Sequence, residues 1–336
     1  MKQKKLSICI PTYNREKYLK DLLDSILVQI NENNKNKIEI CISDNASQDN
    51  TEDIVKFYQK ISPIPIIYHR NKTNMGCDYN FLKVVEIAKG EYCWLLGSDD
   101  IVEKGAIDII LKEIEKEEVD ILTFWRKAYT RDLKKEIREV EVPKIVKIQN
   151  REDIILENPL EILKYTSNLW LYISVIVIRK EIWLSVKNPE EGIGTYYLHV
   201  FMIYSLIKKG VKIKFLNKKL VGWRAGKDSF SVDVNIDPLK RDLVILEIGK
   251  KIFGESSKEF DIIKKNFLKK GFIIMAKVKK KKFVYFFKMF KALLPYYYKK
   301  IYFWTTFVPL FFIPHRLALF IYKFYKKELI ADELVE

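Results

Sequence analysis

The sequence lacks the features that announce several large protein classes. Its 12 glycines form no GxGxxG or GxxxxGKS pattern, the loops whose bare backbone cradles a pyrophosphate or triphosphate. This argues against a Rossmann dehydrogenase and a P-loop enzyme. There are three histidines, His69, His199 and His315, and no Ser-His-Asp arrangement can be built on them. The four cysteines, Cys9, Cys41, Cys77 and Cys93, include no CxxC pair. Three lie in or beside apolar strand-like runs, so buried free thiols in a reducing compartment are expected. The longest apolar run, 301–314, is interrupted by Pro309 and falls short of the roughly 20 residues of a spanning helix. The basic start, MKQKK, precedes an apolar stretch too short for a secretory leader.

Acidic residues are nearly missing from one region, and this locates the charge. Of 336 residues, 60 are Lys or Arg and 44 Asp or Glu, a net charge of +16. Residues 264–330 hold 17 Lys and Arg against Glu328 alone, and 20 of the 45 aromatic residues. The rest of the chain is neutral overall. The length suits one large domain with an appendage, or two domains.

The first half alternates short apolar runs with amphipathic stretches. Strands are expected at 6–10 (stopping at Pro11), 37–42, 65–68, 91–96 and 120–125. Helices are expected at 15–30, 51–60, 79–88 and 105–117. That alternation predicts an α/β fold, a doubly wound and mostly parallel sheet. Further on, 140–148 reads as edge strands and loop, 169–178 as a buried strand, 196–208 as a helix and 211–223 as a strand hairpin. From 238 the pattern is helical. We place a boundary near 235, giving regions 1–235 and 236–336. No internal repeat is visible.

Ligands of doubly wound sheets bind beyond the carboxyl ends of the strands. Here those ends carry Thr12-Tyr13-Asn14, Ser43-Asp44-Asn45 and Ser98-Asp99-Asp100. Two adjacent carboxylates closing the apolar run 92–96 are costly to bury without positive compensation. Hard oxygen ligands suit Mg²⁺ or Mn²⁺, which in turn hold a diphosphate and neutralise a leaving one.

Five pieces then coincide in order: SICIPTYNR (7–15), ICISDNASQDNT (40–51), NKTNMG (71–76), GEYCWLLGSDD (90–100) and KKGVKIKFLNKKLVGWR (208–224). Together they make the chain resemble the family 2 glycosyltransferases, which have the GT-A fold. The GSDD and GTYYLH pieces look most like the abequosyltransferase-type enzymes of bacterial surface-polysaccharide assembly. The resemblance implies a cytoplasmic-face, inverting enzyme moving a sugar from a UDP-, CDP-, dTDP- or GDP-linked donor to a hydroxyl of a glycan, itself lipid-diphosphate-linked. Pro11, Thr12, Tyr13 and Asn14 would line the nucleotide pocket. Asp44, with Asn45 beside it, would accept hydrogen bonds from the base, and Asp49 matches the second acid of that loop. Ser98-Asp99-Asp100 takes the DxD-like position, with Asp99 and Asp100 as metal ligands for Mg²⁺ or Mn²⁺. Asn74 and Gly76 would shape a loop, and Asp78 would contact the sugar. Arg224 and Lys227 would reach the diphosphate. The pattern departs twice: Gly97 stands where the first Asp is usual, and Leu198-His199 where a Glu-Asp pair holds the base. His199 would then be the base.

Structural readings stand beside these. The SDNAS stretch also suits an Asx turn, Asp99-Asp100 a helix cap, His199 a packed ring and Arg224 a surface charge. A nucleotidyltransferase or a non-catalytic scaffold on the same fold also remains open. For the basic aromatic tail, apolar stretches such as FVPLFFIP favour an anionic membrane surface over helix packing. They favour it further over nucleic acid, which is not an expected partner.

Overall fold

The computed structural model describes residues 4–116, 118–137, 153–166, 169–225, 238–278, 283–301 and 303–308. The expected segment 140–148, Lys227, His315 and the boundary at 235 lie outside them. Ten strands form one sheet: β1 Leu6–Thr12, β2 Ile38–Asp44, β3 Ile66–Arg70, β4 Tyr92–Leu95, β5 Ile101–Val102, β6 Ile121–Tyr129, β7 Glu136–Ile137, β8 Ile154–Leu156, β9 Ile176–Arg179 and β10 Ile213–Arg224. The order is β3-β2-β1-β4-β9-β6-β10-β5, with β7 on β6 and β8 on β10. Parallel pairing joins β3, β2, β1 and β4, and again β6 and β10; β9 runs antiparallel between β4 and β6. The mostly parallel α/β sheet expected from the alternation is present.

Local sequence explains these elements. β1 and β2 are buried along their whole length, as central parallel strands covered on both faces must be. Helix α1, Glu16–Leu27, buries Leu19, Leu22, Leu23 and Ile26, a stripe at helical spacing. Helices α2 (Thr51–Ile61), α3 (Cys77–Ile87) and α4 (Ala106–Lys116) fill the other crossovers. After α5 (Pro159–Thr166) and α6 (Lys180–Leu184), helix α7 (Leu198–Lys209) is buried on nearly every side. Cys9, Cys41 and Cys93 are buried free thiols, as expected.

Three sequence expectations need correction. β1 continues through Pro11 to Thr12. β4 pairs with it only as far as Cys9, so the missing N–H of Pro11 breaks no bond on that side. The run 169–178 is not one strand. Two 3-10 turns, Leu169–Leu171 and Ile173–Val175, precede β9, and they turn Ser174 toward the end of β4. The segment 211–223 is not a hairpin either. β10 is one continuous strand, with Asn217, Lys218 and Leu220 as the extra residues at two irregularities in its pairing with β6.

Helices α8 (Pro238–Phe253), α9 (Lys258–Val278) and α10 (Phe283–Tyr297) follow. They are not a separate layer. Leu246, Phe260, Leu293, Tyr297 and Phe303 belong to the same hydrophobic cluster as the sheet, and the Tyr297 hydroxyl donates to the Lys264 carbonyl at 2.8 Å.

Candidate functional site

The carboxyl ends of β1 and β2 are sewn together by short polar side chains. Asn14, in the left-handed region at φ 51°, accepts the Gln48 N–H at 2.8 Å through its side chain, while its own N–H donates to Ser47 Oγ at 2.9 Å. Asp49 accepts the Glu16 N–H at 3.0 Å and the Thr51 N–H at 3.1 Å, so one carboxylate caps the starts of α1 and α2. Asp44 is fully buried. It accepts the Ser47 N–H and hydroxyl at 2.8 and 2.6 Å and the Tyr68 hydroxyl at 2.7 Å. Burial, then the bond to Asp44, pushes the Tyr68 phenol well above its usual range.

The neighbouring loop is anchored by Asn45. Its Oδ1 accepts Asn71 Nδ2 at 3.0 Å and the Met75 N–H at 2.9 Å, and its Nδ2 donates to Asn74 Oδ1 at 2.6 Å. Asn74 Oδ1 also accepts the Gly76 N–H at 2.9 Å. Gly76 has φ 86° with open space where a Cβ would stand, so backbone conformation and not crowding calls for glycine. Pro11, Thr12, Tyr13, Asn14, Asp44, Asn45, Asp49, Asn74 and Gly76 thus form one continuous rim around the ends of β1, β2 and β3.

Beyond β4 lies the acidic turn, where Ser98 is buried and Asp99 half-buried. The Asp99 carbonyl accepts Arg224 Nε at 2.8 Å. The same guanidinium donates to the Arg131 carbonyl at 3.0 Å and to Asp21 at 2.5 Å, and lies over the Tyr18 ring. Arg224 is therefore neither a surface charge nor an uncommitted cation: it ties the turn to β10 and α1. Asp100 is buried and accepts the Ser174 hydroxyl, and Ser174 Oγ accepts the Gly97 N–H at 2.9 Å. A Cβ on Gly97 would stand 2.8 Å from Asp100 Oδ2 and 3.3 Å from Ser174 Oγ. Glycine at the position of the usual first Asp is thus explained by the carboxylate folded over it. Burial, with Asp99 adding, pushes Asp100 up to about 8; Ser174, Tyr172 and Arg126 oppose the shift.

Among the described residues no cluster of three or more His, Cys, Asp or Glu could hold a metal ion. A cation here would draw one or two carboxylates from Asp99 and Asp100 and its other ligands from phosphate and water. Mg²⁺ is commonly held in that way at phosphate sites, so the donor set fits.

Asp78 and His199 meet at the start of α7. One Asp78 oxygen accepts the N–H groups of Gly194 and Tyr196 at 2.9 and 2.8 Å, and the other that of Leu198 at 3.1 Å. Burial raises its pKa while these N–H groups lower it. Asp78 thus anchors the 194–198 loop, in which Tyr196 has φ 62°. The His199 ring is buried against Phe81 and Tyr197, and neither ring nitrogen has a hydrogen-bond partner. Burial pulls its pKa down to about 4, while the nearby backbone of Leu171 and then Trp170 opposes the shift without closing a hydrogen bond.

Sequence reasoning missed Ser174, Tyr172, Asp21 and Arg126. A single serine inside LWLYISVIVI and an arginine ending the apolar strand ILTFW were the available signals.

Burial of a neutral imidazole has a consequence with a definite sign. The unfolded chain binds the His199 proton near pH 6.5, the folded chain only near 4. Its stabilising contribution is complete above 6.5 and is lost as pH falls toward 4. Between pH 7 and 5 the loss is about 2 kcal/mol. Urea unfolding of wild type and His199→Met at both pH values should show that extra loss in wild type only; equal losses would mean that the ring is not held neutral by burial.

Comparison with known proteins agrees with this architecture. Residues 7–177 match the profile of Glycosyl transferase family 2. Abequosyltransferase RfbV of Salmonella typhimurium is 37% identical over 237 residues, covering 67% of this chain and 68% of that protein. The crystal structure of S. aureus TarS 1–349 in complex with UDP-GlcNAc superposes with a TM-score of 0.63 at 20% identity, over 87% of this chain and 80% of that one. The complex of the same protein with UDP gives 0.61, over 86% and 79%. The chain belongs to glycosyl transferase family 2 and is a glycosyltransferase of GT-A fold.

Proposed function

We propose that the chain transfers a sugar from a nucleotide-linked donor to a hydroxyl of a growing glycan in bacterial surface-polysaccharide assembly. In favour of the substrate class are the abequosyltransferase relative and the UDP-GlcNAc complex of TarS. The observation that carries the reading is the acidic turn Asp99-Asp100, clamped by Arg224 and Ser174 beside the polar rim of residues 11–14 and 44–49. The rim takes the nucleoside, with UDP, CDP, dTDP and GDP all admitted. Asp99, and Asp100 once deprotonated, would hold Mg²⁺ or Mn²⁺. When bound, the cation neutralises charge on the leaving diphosphate.

His199 is our choice for the base of an inverting transfer. Asp44, Asp49 and Asp78 have their carboxylates engaged by backbone and hydroxyl donors. Both His199 nitrogens are without partners, and the ring is neutral at pH 7. The ring is packed against Phe81 and Tyr197, and an acceptor hydroxyl would have to displace that packing to reach it; a catalytic bond absent before substrate binds does not rule a base out.

The enzyme is further proposed to sit on the cytoplasmic face of the membrane, with a lipid-linked acceptor. No helix among the described residues is long and apolar enough to cross a bilayer. Leu293, Tyr297 and Phe303 are in the core, whereas Phe287, Tyr298, Ile301 and Trp304 are exposed beside the exposed Lys288, Lys291 and Lys299. Apolar groups with lysines around them match an anionic interface.

A nucleotide-sugar panel with and without Mn²⁺ should raise the unfolding temperature for one nucleotide class. Asp99→Asn should lose that shift. His199→Ala should keep it while turnover falls by about a hundredfold or more. Wild-type binding and turnover in Asp99→Asn would remove the acidic turn from the site, and unchanged turnover in His199→Ala would leave that ring as packing.

The full chain should co-sediment with anionic vesicles. Each basic residue near the surface contributes about 1 kcal/mol, screened over about 10 Å at 0.1 M salt. Salt should weaken binding without abolishing it, and Ile301→Ser with Trp304→Ser should remove the salt-resistant part. Full-length protein remaining in the supernatant at low salt would refute the membrane reading.

A further inference from the structure

The segment 74–78 belongs to two parts of the site at once. Its first half is tied to the rim: Asn74 Oδ1 accepts Asn45 Nδ2 at 2.6 Å, and the Met75 N–H donates to Asn45 Oδ1 at 2.9 Å. Its second half opens α3, and Asp78, in the first turn of that helix, reaches the other way. Asp78 is 3% exposed. Its carboxylate takes the N–H groups of Gly194, Tyr196 and Leu198, from 116 to 120 residues further along the chain. One short segment therefore joins the nucleotide side of the site to the loop that delivers His199.

The loop that Asp78 gathers would not hold its shape alone. Gly194 lies at φ 87° and Tyr196 at φ 62°. Glycine takes that region freely; a tyrosine there is strained and stays only where its surroundings fix it. Leu198 is the first residue of α7, and Tyr197 before it makes no side-chain cap. The Leu198 N–H has no acceptor within its own helix. A carboxylate supplied from α3 meets both needs, because negative charge is favoured at a helix start. Its burial works against it, raising the pKa that the N–H groups lower. The next residue is His199, and the ring of Tyr197, inside the gathered loop, packs against the imidazole. A relaxed turn would connect 192 to α7 without a strained tyrosine or a buried charge. This arrangement does more: it fixes the direction in which α7 starts.

We propose that Asp78 is a positioning residue, which fixes the 194–198 loop and the first turn of α7 so that His199 is held in one orientation beneath Tyr197. Its bearing on sugar transfer rests on the reading of His199 as the base; the positioning itself does not.

The test uses the full chain with ¹³C-labelled histidine, and His199→Met assigns the signal among the three histidines. Asp78→Asn keeps the shape, removes the charge and turns one acceptor into an NH₂ group facing the loop's N–H groups. His199 should titrate near 4 in wild type. In Asp78→Asn the loosened loop admits water to the ring, and the titration should rise toward 6.5 by about one unit or more. Loss of a negative charge would by itself lower an imidazole pKa, so a rise reports loosening and not electrostatics. Tyr58→Phe removes the bond from Tyr58 to Asp24 between α2 and α1 and should leave the His199 titration in place. If Asp78→Asn does not fold, Asp78→Glu keeps the charge while displacing the oxygens, and a smaller rise is expected. An unmoved His199 titration in the folded Asp78 variant overturns the proposal. Turnover, read as nucleoside diphosphate released from UDP-, CDP-, dTDP- and GDP-sugars, should fall at least tenfold in Asp78→Asn. Affinity for UDP, CDP, dTDP and GDP in Mn²⁺ should stay within twofold. A matching tenfold loss of that affinity would make Asp78 part of the nucleotide rim and overturn the proposal. A raised titration in Asp78→Asn, together with unchanged turnover in His199→Ala, would count against the base and leave the positioning role standing.

Discussion

The acidic turn after β4 depends on two clamps that neutralise opposite problems. Asp100 brings a carboxyl into a region from which water is excluded, and the Ser174 hydroxyl meets it while also receiving the Gly97 N–H. Arg224 brings a guanidinium almost as deeply, and the Asp99 carbonyl, the Arg131 carbonyl and Asp21 share it. Neither clamp is local. Ser174 arrives from the 3-10 turns before β9, Arg224 from the end of β10, Asp21 from α1. Removing one partner would strand a buried polar group, which costs more than the bond itself contributes. The turn is thus fixed by the closing of the whole sheet, and the site can form only when β9 and β10 have joined β4 and β6.

The same logic separates residues that hold the site from residues with capacity left for a ligand. Asp44, Asp49, Asn45 and Asp78 resemble recognition groups by type, yet their oxygens already accept hydrogen bonds from neighbouring loops. They give the rim its shape. Both ring nitrogens of His199, and the Nε of Arg126, are buried without a hydrogen-bond partner, the condition in which a polar group discriminates most strongly between occupied and empty states.

Much of this was legible in the sequence. β1, β2 and β4 are apolar runs bounded by turn residues, the stripe on α1 is unambiguous, and the strand-end polar clusters marked the rim and the acidic turn. The illegible parts have physical causes. LWLYISVIVI has no period, so nothing local says that it turns twice before extending. The lysine-rich centre of β10 looks like a hairpin tip, but the chain keeps pairing with β6 on both sides of it and stays one strand. The partners of Arg224 lie up to 203 residues away, and no pattern in one chain reports contacts at that range. The tail divides in the same way. Leu293, Tyr297 and Phe303 enter the common core while Ile301 and Trp304 stay out, a distinction that composition does not carry.

The central claim is that the acidic turn recognises the donor because β9 and β10 hold it in place. The most direct measurement is nucleoside-diphosphate affinity in Mn²⁺ for Ser174→Ala and Arg224→Lys, two substitutions that leave Asp99 and Asp100 untouched. The account predicts cooperatively folded proteins whose affinity is weaker by about tenfold or more, since a shift of about 1.4 kcal/mol in binding is tenfold. Wild-type affinity in both variants would contradict it.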